Sequence, residues 1–291
     1  LVLGHEIAGV IAEVGEGVTG YQVGQRVSAS HHVPCNTCHY CLSGHHTVCD
    51  TLRRTSFDPG GFAEYLRLPA INVDRGVYAL PDSVSFEEAT FIEPLACVLR
   101  GQRRAGFQPG QSVLVVGSGI AGLLHISLAR ALGAGLVMAT DVADYRLKAA
   151  RRFGAEVALH ASEATPDRLR QANDGRLPDL VVACTGAPQA IEQALRSVER
   201  GGTVLLFAPT SPGVTIPFSV NDVMWGNDVT ITTSYAGSPA DHWTALELIR
   251  AQRLPVAGMI THRLGLAETG LGFRLVAEAR ESIKVIIEPQ R

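Results

Sequence analysis

Four cysteines crowd into one short stretch of the chain, Cys35-x2-Cys38-x2-Cys41-x7-Cys49. Thiolates carried on such short loops converge on a single ion without strain, and tetrahedral zinc accepts four sulfurs. Four protein ligands leave no open coordination position, so a site of this kind is structural rather than catalytic. Two disulfides or an iron–sulfur cluster are the competing readings, since Cys-x2-Cys-x2-Cys also begins ferredoxin motifs. No proline follows the fourth cysteine, and the expectation is structural zinc. The remaining cysteines, Cys97 and Cys184, stand alone in apolar surroundings.

A second group of residues has the pattern of a dinucleotide site. Val115-Val116-Gly117-Ser118-Gly119-Ile120-Ala121-Gly122 reads as a strand, a Gly-x-Gly-x-x-Gly turn and a helix. Gly117 suits the tight turn, Gly119 lets the backbone approach a pyrophosphate, and Gly122 lets helix and strand pack closely. Ile120 and Ala121 open the helix, whose free N–H groups and positive dipole end face phosphate. Asp141 follows at the end of the next strand, where a carboxylate hydrogen-bonds both ribose hydroxyls and repels a 2′-phosphate. That favours NAD over NADP, with an ordinary helix-capping aspartate as the alternative. Arg146 is either a contact on the adenosine side or a plain helix residue. Thr185 and Gly186 follow the fourth strand of the unit, where small residues suit a nicotinamide ribose or a simple strand-to-helix turn.

Three further residues carry weaker signals on their own. His5 and Glu6 immediately precede an apolar strand, and a buried histidine is more often a satisfied core residue than a ligand. Glu93 lies between Ala89-Thr90-Phe91-Ile92 and Pro94-Leu95-Ala96, and a carboxylate there is costly to bury unless it is paired or metal-associated.

The elements that must position these groups change character along the chain. Residues 7–29 alternate Val/Ile/Ala runs with glycine turns and read as strands of a compact β unit. Residues 30–58 are a polar loop lobe carrying the cysteines, and residues 60–66 return to strand character. From about residue 98, short apolar runs alternate with helical periodicity: strands near 113–116, 136–140, 180–183, 203–207 and 229–234, helices near 120–132, 165–173 and 188–198. Alternating βα units imply a parallel sheet covered on both faces. A helix at 241–252 and a strand at 284–287 close the chain. The composition, 46% hydrophobic and 18% charged with net charge −3, fits a globular protein and gives no basic patch for nucleic acid. No apolar run approaches the ~20 residues needed to span a bilayer. Crowded cysteines without a signal peptide point to the cytoplasm.

The spacing of the cysteine lobe resembles that of medium-chain alcohol and polyol dehydrogenases. Gly4-His5-Glu6 resembles the family's catalytic-zinc segment, Gly60-Gly61-Phe62-Ala63-Glu64-Tyr65 its strand after the lobe, and Glu93-Pro94-Leu95-Ala96 the version found in sorbitol and iditol dehydrogenases. The likeness runs through essentially the whole chain, in order. It implies an α/β fold with a GroES-like β-rich catalytic domain over residues 1–97, including the zinc lobe at 30–58. A Rossmann doubly wound parallel-sheet domain would follow at 98–236, with a return to the catalytic domain at 237–291. It also implies a catalytic zinc held by His5 with Glu6 and Glu93 sharing the carboxylate task, one direct and one through water, and Lys284 near the pyrophosphate. The family pattern places a cysteine ligand and a hydroxyl for proton relay before Gly4-His5-Glu6, so the sequence reads as one whose beginning is cut away. The implied reaction is NAD-linked, zinc-dependent oxidation of a small secondary alcohol, a polyol or cyclitol, to a ketone by a homodimer or homotetramer. Threonine dehydrogenase-like activity, or a catalytically incomplete zinc-stapled NAD-binding remnant, are the alternatives.

Overall fold

Short Val- and Ile-rich runs separated by glycine turns become an antiparallel sheet early in the chain. Strand β1 (Ile7–Val10) pairs with β2 (Arg26–Ala29), and β2 with β3 (Val77–Ala79). Ile7 stands opposite Ala29, and the Ser28 hydroxyl donates to the Ile7 carbonyl at 2.7 Å. The register brings the segment entering β1 and the segment leaving β2 to one end of the sheet. The computed structural model describes residues 3–291. The chain divides into two units, one running to Cys97 and resuming at Ala236–Arg291, the other Val98–Tyr235.

In the first unit, the polar stretch after β2 is built from loops and two short helices, His39–Leu42 and Asp50–Arg54. Fully buried Leu52 packs against Cys41 and Cys49. Residues 60–66, read from the sequence as a strand, form bends instead, with only a bridge between Asp58 and Arg67. The reason is a close approach of two glycine segments. Gly61 N–H donates to Gly4 O at 2.8 Å and Phe62 N–H to Leu3 O at 3.0 Å. Gly4 sits at φ +96°, and a Cβ there would lie 2.9 Å from the Phe62 nitrogen. Only glycine combines that backbone with that spacing.

Helix Ile92–Arg104 carries Glu93 in its first turn, with Phe91, Ile92, Leu95 and Ala96 buried beside it. The later part of this unit holds helix Pro239–Arg250, started by a reciprocal Ser238–Asp241 capping box.

The second unit is a six-stranded parallel sheet: β4 (Ser112–Val116), β5 (Leu136–Asp141), β6 (Val157–His160), β7 (Leu180–Ala183), β8 (Thr203–Leu206) and β9 (Thr230–Thr233). Their spatial order is β6-β5-β4-β7-β8-β9, the doubly wound arrangement whose order reverses between β4 and β7. β4 and β7 are buried along their whole length, as expected for central parallel strands. Strand β6 was not separated from its surroundings in the sequence; its four residues Val157-Ala158-Leu159-His160 are short and only Ala158 is fully buried. In the first unit β10 (Ile260–Gly265) and β11 (Lys284–Glu288) form a parallel pair. Among the described residues no helix is long and apolar enough to cross a membrane.

Candidate metal and nucleotide sites

All four sulfurs of Cys35, Cys38, Cys41 and Cys49 lie within 4.8 Å of one another. The separations are 3.6 Å for Cys38–Cys41, 3.7 Å for Cys35–Cys49 and 4.0 Å for Cys35–Cys41. Tetrahedral zinc with bonds near 2.3 Å sets its sulfurs about 3.8 Å apart, whereas a disulfide needs about 2.0 Å. The donor set therefore fits zinc, and all four cysteines are free. Backbone N–H groups point at the sulfurs, Cys38 N to Cys35 Sγ at 3.3 Å and Cys35 N to Cys49 Sγ at 3.4 Å. Such donors favour thiolate over thiol, and hydrogen bonds from Thr37 and Cys38 pull the Cys35 thiol down to about 5.

A second metal-ligating group stands at the end of the β1–β2 sheet. Ligand atoms of His5, His31 and Glu93 all lie within 4.8 Å of one another, with His5 Nε2 3.8 Å from Glu93 Oε2. Burial raises the Glu93 pKa, and the Glu6 carboxylate adds to that rise. His31 is pushed down to about 2 by burial and by the neighbouring His32 and His5 rings. Its Nδ1 is buried without a hydrogen-bond partner among the described residues. An imidazole with a buried, unpartnered nitrogen, beside a buried carboxylate that another carboxylate repels, is a group that a cation would satisfy. The residues fit a zinc ion.

The two glutamates from the sequence reading are separated in their roles. Glu93 faces His5, while Glu6 is ion-paired with Lys284. Lys284, expected from the resemblance near the pyrophosphate, has partners within the first unit. Its ammonium lies 3.2 Å from the Thr90 carbonyl and 4.7 Å above the Phe91 ring, buried within the first unit. A buried ammonium needs a counter-ion and acceptors, and Glu6 and Thr90 supply them. Cys97, which stands alone in an apolar stretch of the sequence, contacts the site: its thiol donates to Glu93 Oε1 at 3.4 Å, one helical turn along.

In the second unit, Gly117 has φ +91°, and a Cβ there would lie 3.5 Å from Cys184 and Thr185, across the point where the sheet order reverses. A Cβ on Gly122 would lie 1.9 Å from the Gly117 carbonyl oxygen, so turn and helix close only over glycine. The helix Ile120–Ala131 begins at Gly119 without a side-chain cap, which leaves the first-turn N–H groups of Ile120 and Ala121 available to a phosphate. Gly119 keeps its Cβ position open apart from the Arg146 guanidinium 3.9 Å away. Asp141 is buried; its Oδ2 accepts from Ser118 N–H at 2.7 Å and its Oδ1 from Ala143 N–H at 3.0 Å. Arg146 Nη1 stands 3.9 Å from Asp141, and its Nε has no hydrogen-bond partner among the described residues. Thr185 Oγ1 accepts from Ala187 N–H at 3.3 Å, and a Cβ on Gly186 would strike the Pro209 carbonyl. This chain's residues therefore fit a dinucleotide.

His31 is the residue that sequence reasoning passed over. The available signal was its position, since His31-His32 leave β2 at the end of the sheet where His5 enters β1.

Comparison with known proteins gives two family matches: residues 1–82 match the alcohol dehydrogenase GroES-like domain, and residues 121–251 the zinc-binding dehydrogenase domain. The chain is 31% identical to a sorbitol dehydrogenase of Gallus gallus, over 99% of this chain and 80% of that protein. It is 32% identical to an L-threonine 3-dehydrogenase of Bacillus velezensis, over 99% of this chain and 82% of that one. Among solved structures, galactitol-1-phosphate dehydrogenase from Escherichia coli superposes with a TM-score of 0.86 at 28% identity, covering 99% of this chain and 84% of the other.

Proposed function

Because the chain belongs to the zinc-dependent medium-chain dehydrogenase family, in its polyol dehydrogenase branch, we propose that it oxidises a secondary alcohol of a polyol or cyclitol to the ketone, with NAD as hydride acceptor. The observation that carries this reading is Glu93 set beside His5, a carboxylate at an apolar helix start and an imidazole close enough to share one ion. A zinc ion bound there supplies Lewis-acid polarisation of the substrate hydroxyl, which zinc with an open position is suited to do. His5, whose side chain is half exposed, is the ligand on the accessible side. The thiol of Cys97 holds one oxygen of Glu93, which fixes the rotamer of the other toward His5. The glycine turn and helix start of the second unit hold the pyrophosphate, Asp141 and Arg146 the adenosine ribose, and Thr185 and Gly186 the nicotinamide ribose. The cysteine cluster staples the lobe.

The Glu93-Pro94-Leu95-Ala96 segment and the sorbitol and galactitol-1-phosphate relatives support a polyol-type substrate. Threonine dehydrogenase-like activity is the second reading, favoured by the 32% relative. The reading places the enzyme in the cytoplasm as a homodimer or homotetramer; β9 ends its sheet with one unpaired edge, where a second copy can add strands. The test is NADH formation by the zinc-loaded protein across polyols, cyclitols and L-threonine. Polyol or cyclitol turnover supports the proposal, turnover of threonine alone assigns the second reading, and silence across the panel with both metal sites filled sinks the enzyme claim.

Cofactor choice is testable at Asp141. Asp141→Asn keeps the size and the acceptor for Ser118 N–H but removes the charge that opposes a 2′-phosphate. Arg146 remains to meet that phosphate. The ratio of kcat/KM for NAD over NADP is expected to fall about 10-fold or more. An unchanged ratio would mean that Asp141 only anchors the loop.

A further inference from the structure

We propose that His160 is a positioning residue for the adenine end of the dinucleotide: it holds the backbone of Val142 so that the Val142 side chain stands as an apolar face for the purine. The inference rests on the nucleotide-site reading above and adds a residue outside the glycine turn. Every group it uses lies in the second unit.

Strands β5 and β6 end side by side, with Asp141 opposite His160. The pairing runs one step further, since Ala161 N–H donates to the Asp141 carbonyl at 3.0 Å. The next carbonyl, that of Val142, is met by a side chain instead, His160 Nε2 at 3.1 Å. A carbonyl only accepts, so Nε2 carries the ring proton. In the neutral ring Nδ1 is then the acceptor, and Ser162 meets it with its hydroxyl at 2.7 Å and its N–H at 3.4 Å. Ser162 thus sets the tautomer that the Val142 carbonyl needs. The loop bearing Ser162 is itself tied down. Gln193, on helix Pro188–Arg196, donates from Nε2 to Ala161 O at 3.0 Å and to Ala164 O at 2.9 Å. On the other side of Val142, Asp141 Oδ1 accepts from Ala143 N–H. Val142 is therefore fixed at its carbonyl and at the following amide, yet its side chain is 74% exposed. A side chain so exposed adds little to the core, so this bracing serves whatever lies on its outer face. That face directly follows the carboxylate assigned to the adenosine ribose. Ligand sites combine apolar faces with a few fixed polar groups, and a face ordered beforehand lowers the cost of binding.

The test uses the whole chain and two half-ligands, AMP and nicotinamide mononucleotide. In long-range proton–nitrogen NMR spectra of the unaltered protein, His160 is expected as the Nε2–H tautomer, with signals that move on adding AMP and not on adding nicotinamide mononucleotide. The Nδ1–H tautomer, or signals that AMP leaves in place, overturns the proposal. His160→Gln can set an amide donor where Nε2 stood, whereas the shorter side chain of His160→Asn reaches only the place of Nδ1. The asparagine variant is expected to bind AMP and NAD about 3–10-fold more weakly, the scale of one hydrogen bond, with affinity for nicotinamide mononucleotide unchanged. The glutamine variant is expected to recover most of that loss. A brace that serves stability alone would lower the melting temperature and leave AMP affinity as it was. That result overturns the proposal, as do equal losses for both half-ligands or a glutamine variant no better than asparagine. A wild-type chain that binds neither AMP nor NAD overturns the nucleotide-site reading itself. Because the tautomer and its response to AMP are read on the unaltered protein, misfolding of a variant does not remove the test.

Discussion

Cys41→Ser is expected to cost the protein one zinc per chain and at least about 3 kcal/mol of stability in the lobe. Cys41 is, with Cys49, one of two buried members of a set whose sulfurs already stand at zinc-bridging distances, so solvent cannot readily replace its sulfur. Apparent zinc binding energies in small stapled domains run to about 10–16 kcal/mol, and loss of one of four thiolates removes a large fraction. The short helices His39–Leu42 and Asp50–Arg54 have little else to hold them: both are far below the length at which a helix stands alone, about 12–15 residues. Amide hydrogen exchange should therefore rise over residues 30–58 while the parallel sheet of the second unit keeps its protection, and metal analysis should show the loss of a single zinc. A strong chelator should reproduce the effect in the wild type, and a reductant should not. A variant with unchanged metal content and melting temperature would show the cluster to be idle thiols; sensitivity to reductant alone would restore the disulfide reading.

Features set by spacing along the chain were legible before the structure. The cysteine spacing, the Gly117–Gly122 turn with its strand and helix, and the alternation of βα units each depend on residues within a few positions of one another, and each has its own periodicity or turn chemistry. Features set by register were not. His31 meets His5 only because β1 and β2 pair with Ile7 opposite Ala29. Glu6 meets Lys284 because β11 returns to the same unit near the end of the chain. Residues 60–66 carried a strand-like pattern, but the N–H groups of Gly61 and Phe62 are taken by Gly4 and Leu3. The sequence also showed two acidic residues near one histidine without separating them; their division needed the position of a single buried ammonium. Cys97 was legible only as a lone cysteine in apolar surroundings, and the i, i+4 geometry of helix Ile92–Arg104 shows that it reaches Glu93.

That ammonium gives the second large effect. Lys284→Met keeps the aliphatic stem over Phe91 and removes the charge, leaving Glu6 and Glu93 as neighbouring carboxylates without a buried cation. Breaking one side of a buried ion pair typically costs about 3–5 kcal/mol. The Glu6 side chain is about one-third exposed, and solvent screening trims the expected loss to about 2–3 kcal/mol. Glu6→Gln in the same chain removes the charge that was left unpaired, so the double variant should regain at least half of the loss in denaturant unfolding. The difference between the two is the coupling of the pair. The same pair of variants decides between two places for Lys284. If its partner is Glu6, rescue by Glu6→Gln follows, and NAD affinity changes little in either protein. If the lysine serves the pyrophosphate, the single variant loses NAD affinity at unchanged stability and Glu6→Gln rescues nothing. The buried position of Lys284, its contact with Glu6 and its acceptor at Thr90 favour the first outcome. The metal site then depends on a charge it never touches: Lys284 keeps Glu6 engaged, and Glu93 is left as the carboxylate that faces His5.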